Sequence, residues 1–331
     1  MAKLLKLLQN EWMKLWHKKG TWVMVALLVV LTAGMMGLTK WIDTQRTDSM
    51  KQVGNASVEV SVGEQADWKA SMEGELAGVR AQLADTSLTK SERKELEGEE
   101  KVLDYRLSNS IEPLDQFSRE AMIMDPSGIS GTVLLLAVIV AAGIVAAEFS
   151  QGTVKMLLTR PVKRWKILTS KFIAVNLFGI LLMLIGYIVL VALAFILFKS
   201  GDGQYLVWNG KEVVEGSIWG KSFYMLLLSF GSVFVTSAFA FTIGSVFRSS
   251  SLAIGLSLFI YFMGSTVTML LSRYEVAKYI LFTHMDLTQY ETGYQMVEGI
   301  SLPFSLAVLA VYVVVFLVIS YTTFVQRDVK A

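Results

Sequence analysis

Six runs of the chain are apolar over about 18 or more residues without one charged side chain, and that constrains the fold more than any other feature. They are Thr21–Leu38, Ile129–Ala147, Phe172–Phe198, Phe223–Phe247, Leu252–Leu271 and Pro303–Val325. As a helix, each is long enough to cross a hydrocarbon layer of about 30 Å. The fourth and fifth are parted only by Arg248 and the serines at 249–251. Apolar residues make up 53% of the 331 and charged residues 18%. The apolar ones gather in these runs rather than in the short periodic stripes of a soluble core. The expectation is an all-α integral membrane protein with six transmembrane helices. The first run is too long for a secretion signal and lacks a small-residue cleavage site, so it reads as a span.

Charge distribution orients the chain. With the N-terminus cytoplasmic, the inside segments carry fourteen Lys and Arg against three acids, Glu11, Glu148 and Asp328. The other sixteen cations and twenty-five acids then fall outside. Lys and Arg in short loops near span ends mark the cytoplasmic side, so both termini and the loop between the second and third spans are expected on the cytoplasmic side of a plasma membrane, a bacterial one. The overall net charge of +2 is too balanced to indicate a nucleic-acid partner.

The segments divide as follows. Residues 1–20 form a cytoplasmic interfacial helix, and 21–38 the first span. Residues 39–128 form an extracellular domain, and 129–325 hold five further spans with a cytoplasmic loop at 148–171. Residues 326–331 form a cytoplasmic tail. In the first segment Leu4, Leu5, Leu8, Trp12, Leu15 and Trp16 fall within roughly 120° of arc, with Lys3, Lys6, Lys14, His17 and Lys18 opposite. A basic amphipathic helix with Trp lies in the membrane interface. In the outside domain Trp68, Met72, Leu76, Val79 and Leu83 form a helical stripe. Thr89 and Glu92 have capping-box spacing and start a second helix with apolar Leu96, Val102, Leu103 and Leu107. The two are expected to face each other as a helical hairpin. Val58, Val60 and Val62 alternate as in a short strand.

Catalytic and metal motifs do not emerge. The chain has no Cys, which removes disulfides and thiolate sites, and its two His, His17 and His284, fall on opposite sides of the bilayer. Gly216–Ser222 (GSIWGKS) has one residue too few between its glycines for a phosphate loop. Glu99 and Glu100 lie in the water-exposed hairpin, far from any intramembrane partner. The six runs contain no ionisable residue, which disfavours a proton-driven transporter. Small residues at helix-packing spacing recur instead, including Ala142 with Ala146, Gly143 with Ala147, and Ala240 with Gly244.

The loop EFSQGTVKMLLTRPVKRWKILTSK, Glu148–Lys171, carries six cations against one acid. Topology explains the sign of that charge but not the particular residues. Phe149, Val154, Met156, Leu157 and Leu158 can form one side of a short helix lying across the membrane face. Gly152 permits a bend at its start. Pro161 ends it, because the residue before proline is biased away from helix. Lys163, Arg164 and Lys166 with Trp165 suit the headgroup layer.

This loop resembles the coupling loop of the type-two ABC exporter permeases. The resemblance extends to Asn10-Glu11-Trp12-x-Lys14-Leu15 in the N-terminal helix, Asp104–Leu107 at the end of the hairpin, and the order of six spans. It implies a transport subunit without an ATPase of its own. Two permease chains, identical or different, would pair with two cytoplasmic ABC ATPase subunits, which bind ATP and Mg; no cofactor is expected in this chain. Glu148, Phe149, Gly152, Thr153, Lys155, Arg160, Pro161 and Arg164 would lie at or near the ATPase contact, flanked by Glu11, Trp12, Lys14 and Trp16. An amphipathic cargo such as a peptide antibiotic, drug or lipid fits spans without charge, and Phe259, Phe262, Met263 and Met269 of the fifth span are candidates for its path. The alternative reading is a membrane sensor or scaffold whose outside hairpin binds a ligand and whose loop signals inward. An intramembrane enzyme is disfavoured by the lack of acid, base or metal ligand in the spans.

Overall fold

A computed structural model describes residues 2–54, 60–85, 88, 90–153, 162–247, 249–292, 295–297 and 299–326. The helices among them are α1 (Ala2–His17), α2 (Lys19–Gly54), α3 (Val60–Leu83), α4 (Lys90–Asn109), α5 (Arg119–Met124), α6 (Ser127–Ser150) and α7 (Arg164–Leu197). A two-stranded antiparallel hairpin follows, β1 (Leu206–Trp208) and β2 (Val213–Glu215). Then come α8 (Ile218–Val246), α9 (Ser250–Leu271), a 3₁₀ turn (Glu275–Tyr279), α10 (Leu281–His284), α11 (Gln289–Thr292) and α12 (Leu302–Gln326).

Six helical segments among the described residues are long and apolar enough to cross a membrane: Lys19–Asp48, Arg119–Ser150, Arg164–Leu197, Ile218–Val246, Ser250–Leu271 and Leu302–Gln326. The chain is a multi-pass membrane protein. Several of these helices outrun the charge-free runs that announce them. Helix formation needs only backbone hydrogen bonds, which do not stop where the hydrocarbon does. Thus α2 continues past Leu38 to Gly54, α6 includes Glu148, and α7 begins at Arg164 rather than Phe172. The stretch between α6 and α7 is therefore 151–163, shorter than the expected loop 148–171.

The chain divides into two compact units. The first comprises 1–31, 127–187 and 225–331. Here α6 and α8 are the most enclosed spans, and Val133, Ala137, Val138, Ala141, Ala142, Val145 and Ala146 of α6 are all fully buried. Small side chains make that enclosure possible. A Cβ added to Gly244 of α8 would stand 2.2 Å from the Ala142 carbonyl oxygen, so the two backbones meet directly. Ser130 of α6 and Ser229 of α8 share a 2.7 Å hydrogen bond in the same seam. Gly143 faces Ile254 of α9, and Gly179 of α7 faces Val233 of α8. Thr242 of α8 donates to the Phe316 carbonyl of α12 at 3.0 Å and accepts from Ser320.

The second unit comprises 32–126 and 188–224, so the segment preceding α8 joins the one between the first two spans. Its core lies between α3 and α4, where Leu76, Val79 and Leu103 are buried with Met72, Leu83, Leu96 and Leu107 against them. These are the stripe residues expected from spacing. Arg80 bridges the pair, reaching Glu100 at 2.8 Å and Asp104 at 2.9 Å. The arrangement differs at 54–63: helix α3 begins at Val60, and Val58 and Thr89 lie outside the described residues. The β-hairpin was not expected. It turns at Asn209-Gly210, where Gly210 has φ +92° and the Asn209 side chain accepts from the amides of Lys211 and Glu212, both at 2.9 Å. Trp208 packs over Gly98 of α4, with the Lys101 ammonium 4.1 Å from its ring centroid.

Candidate functional site

The site is built where α1, the end of α6 and the start of α7 meet. The corner between α1 and α2 is a single residue, Lys18, and helix ends leave carbonyls unpaired. Two side chains from the start of α2 pair them. Thr21 donates to the Leu15 carbonyl at 2.5 Å, and Trp22 Nε1 donates to the Trp16 carbonyl at 3.2 Å. Trp16 stacks edge-on against Trp12, Trp22 and Phe178 of α7, at centroid distances of 5.8, 5.3 and 6.0 Å. Helix α1 is thereby held against α7 with a fixed face inward.

That face carries an acid. Glu11 is buried, as is Leu15 one turn on, while Leu5 of the apolar arc is 65% exposed. Glu11 meets Lys171 of α7, whose Nζ lies 2.7 Å from Glu11 Oε2 and 2.9 Å from Glu148 Oε1. Lys14 Nζ closes the figure, 3.4 Å from Glu11 Oε1 and 3.2 Å from Glu148 Oε1. The result is a ring of alternating sign: Lys171, Glu11, Lys14, Glu148. Glu148 Oε2 accepts from Thr153 Oγ1 at 2.5 Å, so both oxygens of each carboxylate are engaged. The Lys171 side chain is only 2% exposed. A buried ammonium is tolerated because two carboxylates and short charge-assisted hydrogen bonds replace its water. Burial opposes the charge on Lys14, but Glu11 and Glu148 outweigh it and raise its pKa above the ordinary lysine value.

The 151–163 stretch leaves this ring on a bend. Gly152 has φ +70°, a left-handed conformation that suits glycine, and its amide donates to the Phe149 carbonyl at 3.2 Å. Both ends of the stretch also touch the end of α12. Phe149 stacks edge-on with Phe324 at 6.1 Å, and Arg164 donates to the Val325 carbonyl at 3.0 Å.

Of the residues singled out from sequence, the structure brings together Glu11, Lys14, Glu148 and Thr153. Trp12, Trp16, Phe149 and Arg164 buttress them. Lys155, Arg160 and Pro161 lie outside the described residues. Phe259, Phe262, Met263 and Met269 form no part of this cluster and are exposed on α9. Lys171 was read only as the last cation of a loop; its central place was missed.

A second polar cluster lies between α10, α11 and α12. His284 is fully buried and has a 2.8 Å contact from Nε2 to the Lys278 carbonyl and a 2.5 Å contact from Nδ1 to Ser305 Oγ. The carbonyl requires Nε2 to be the donor, so Nδ1 accepts from Ser305, which in turn is bonded to the Tyr290 hydroxyl. Burial lowers the His284 pKa, partly offset by the carbonyl bond, which keeps the ring neutral. Ser305 is itself fully buried. The trio ties the connection between α9 and α12 to the start of α12. Among the described residues no group of three or more His, Asp or Glu is placed to hold a metal ion.

Residues 111–330 match a family model described as "Protein of unknown function (DUF2705)". The chain belongs to the DUF2705 family. A relative in Bacillus subtilis (strain 168), "Uncharacterized protein YhcI", is 32% identical over 331 residues, covering 98% of this chain and 99% of its own. "Uncharacterized membrane protein YdbK" of the same organism is 30% identical over 201 residues, or 59% of this chain and 77% of its own. The DUF2705 match takes in Glu148, Thr153 and Lys171, together with the His284 cluster. Glu11 and Lys14 precede the DUF2705 region, so half of the ring comes from outside it.

Proposed function

We propose that this chain is the membrane-spanning permease subunit of an ATP-driven ABC exporter, with both termini in the cytoplasm. Two separate cytoplasmic ATPase subunits would supply ATP and Mg chemistry, and a second permease chain would complete the transporter. One observation carries the reading: the helices that bound the 151–163 stretch are joined to each other and to α1 by a ring of four charges, in which Lys171 and Glu11 are buried, Glu148 is nearly so and Lys14 faces outward. A loop that receives force from a partner moves its spans only if its two roots are fastened to them. The ring and the contacts of Phe149 and Arg164 with the end of α12 supply that fastening.

The cargo that suits this subunit is amphipathic, a peptide antibiotic, drug or lipid. The exposed apolar side chains of α9, among them Phe259, Phe262 and Met269, support a surface for cargo or for the second permease chain. In this orientation the α3–α4 hairpin is extracellular.

The test is co-expression with the ABC ATPase encoded nearest its gene, followed by affinity capture of the tagged permease from detergent. The ATPase is expected to co-purify with the native chain and to be lost when residues 154–161 are scrambled, while the permease still reaches the membrane. Equal capture of the ATPase by the scrambled chain, or no capture by the native one, removes the assignment.

A further inference from the structure

The charge ring leaves one cation over. Lys14, Lys18 and Lys171 all line a cleft of ≈ 330 Å³ together with Glu11 and Glu148, so three ammoniums face two carboxylates. The oxygens of both carboxylates are already taken by Lys14, Lys171 and Thr153. Lys18 is hydrogen-bonded on both sides through its backbone, to Leu15 and Thr21, but its ammonium makes no hydrogen bond or ion pair among the described residues. It is also the corner residue between α1 and α2, so its backbone is held while its head projects beside the ring. Burial lowers its pKa, and the nearby Lys171 ammonium lowers it further, which an added anion would reverse.

The rest of the lining suits an anion with several oxygens. His17, Gln151 and Thr153 bring polar atoms to the same cleft. A second hollow of ≈ 370 Å³ shares Glu11, Lys14 and His17 with it and adds apolar Leu7, Met13 and Ile167. Both hollows mix charged and apolar walls, which suits a headgroup with the start of its acyl chain. The depth agrees. Trp22 and Trp165, in the first turns of α2 and α7, are 60% and 45% exposed, as indoles in the headgroup layer are.

We propose that this cleft is a phosphate-binding site, with Lys18 the ammonium that meets the anion and a membrane phospholipid headgroup as its source. Lysine serves phosphate as a compact point charge with three donors. The lipid would complete the charge balance of the ring and hold α1 at the interface. None of this depends on the transport assignment; it needs only a chain that spans a membrane.

The experiment uses the full chain purified in uncharged detergent, with thermal unfolding followed as phosphatidylglycerol, phosphatidylcholine or inorganic phosphate is added. Phosphatidylglycerol is expected to stabilise the native chain saturably and phosphatidylcholine to do so less. Lys18→Gln, which leaves the ring intact, should weaken the apparent phosphatidylglycerol affinity about fivefold, the worth of one lysine at an anionic surface. Lys6→Gln, on α1 but away from the cleft, should leave it unchanged. Equal weakening by both variants, or no difference between the two lipids together with no effect of inorganic phosphate, overturns the site. Saturable stabilisation by millimolar inorganic phosphate that Lys18→Gln abolishes, without any lipid effect, upholds the phosphate chemistry and overturns the lipid source.

Discussion

Lys171 is the side chain on which the site turns. It is the largest fully buried side chain of the chain's described residues, and its charge is met from two different helices. Removing one partner of such a group costs more than the pair contributes, because the charges left behind stay out of water. Lys171→Met leaves Glu11 and Glu148 facing each other, and the loss is expected to be about 3–5 kcal/mol. Thermal unfolding of the purified variant in detergent measures it. Adding Glu11→Gln should restore part of the loss, since residues of one network do not act additively. Half of this was legible in the sequence. Glu11 falls at the edge of the apolar arc of α1, beside Leu4 and Leu15, and an acid there calls for a partner. The partner was hidden because Lys171 stands directly before the charge-free run that opens at Phe172. A cation in that place looks like the end of a loop, and only the helix that starts seven residues earlier turns it inward.

At the level of elements, close approach rather than greasy bulk organises the first unit. The Gly244–Ala142 contact has no room for a methyl group. Gly244→Ala is expected to destabilise by about 1–3 kcal/mol, the usual cost of overpacking, despite the gain in helix propensity. Gly255→Ala on α9 meets nothing within 4 Å and should be neutral or stabilising by up to about 1 kcal/mol. Comparing the two melting points checks the pair, and a fall in both would sink the packing account. Ala240 with Gly244 had the spacing of such a seam, so its existence was readable, but not which helix it faces. The α3–α4 pairing was readable for a related reason, since one apolar stripe per helix leaves few ways to bury both. The β-hairpin was overlooked although Asn209-Gly210 between Leu206–Trp208 and Val213–Glu215 is a strong local turn signal. The reverse error fell on Val60 and Val62, whose alternation gives way to the helix-forming residues that follow.

At the scale of the whole molecule, the number of spans was legible because charge is so costly in hydrocarbon that its absence marks them. The grouping of 188–224 with 32–126 was not, because nothing in the composition of either segment names the other. Sidedness comes from charge alone and is open to direct measurement. The absence of cysteine makes single-cysteine variants clean reporters. In intact cells a membrane-impermeant thiol reagent is expected to label Lys211→Cys and to reach Lys163→Cys only after permeabilisation. The opposite pattern would reverse the orientation and take the ATPase partnership with it. One consequence of the ring reaches beyond its own residues. Each acid in it serves two lysines, so no single strand of the knot can be untied first. Helix α1 cannot come away by degrees: it travels with the roots of the second and third spans, or it tears loose with Glu11 and Lys14 and leaves the enclosed Lys171 a single carboxylate.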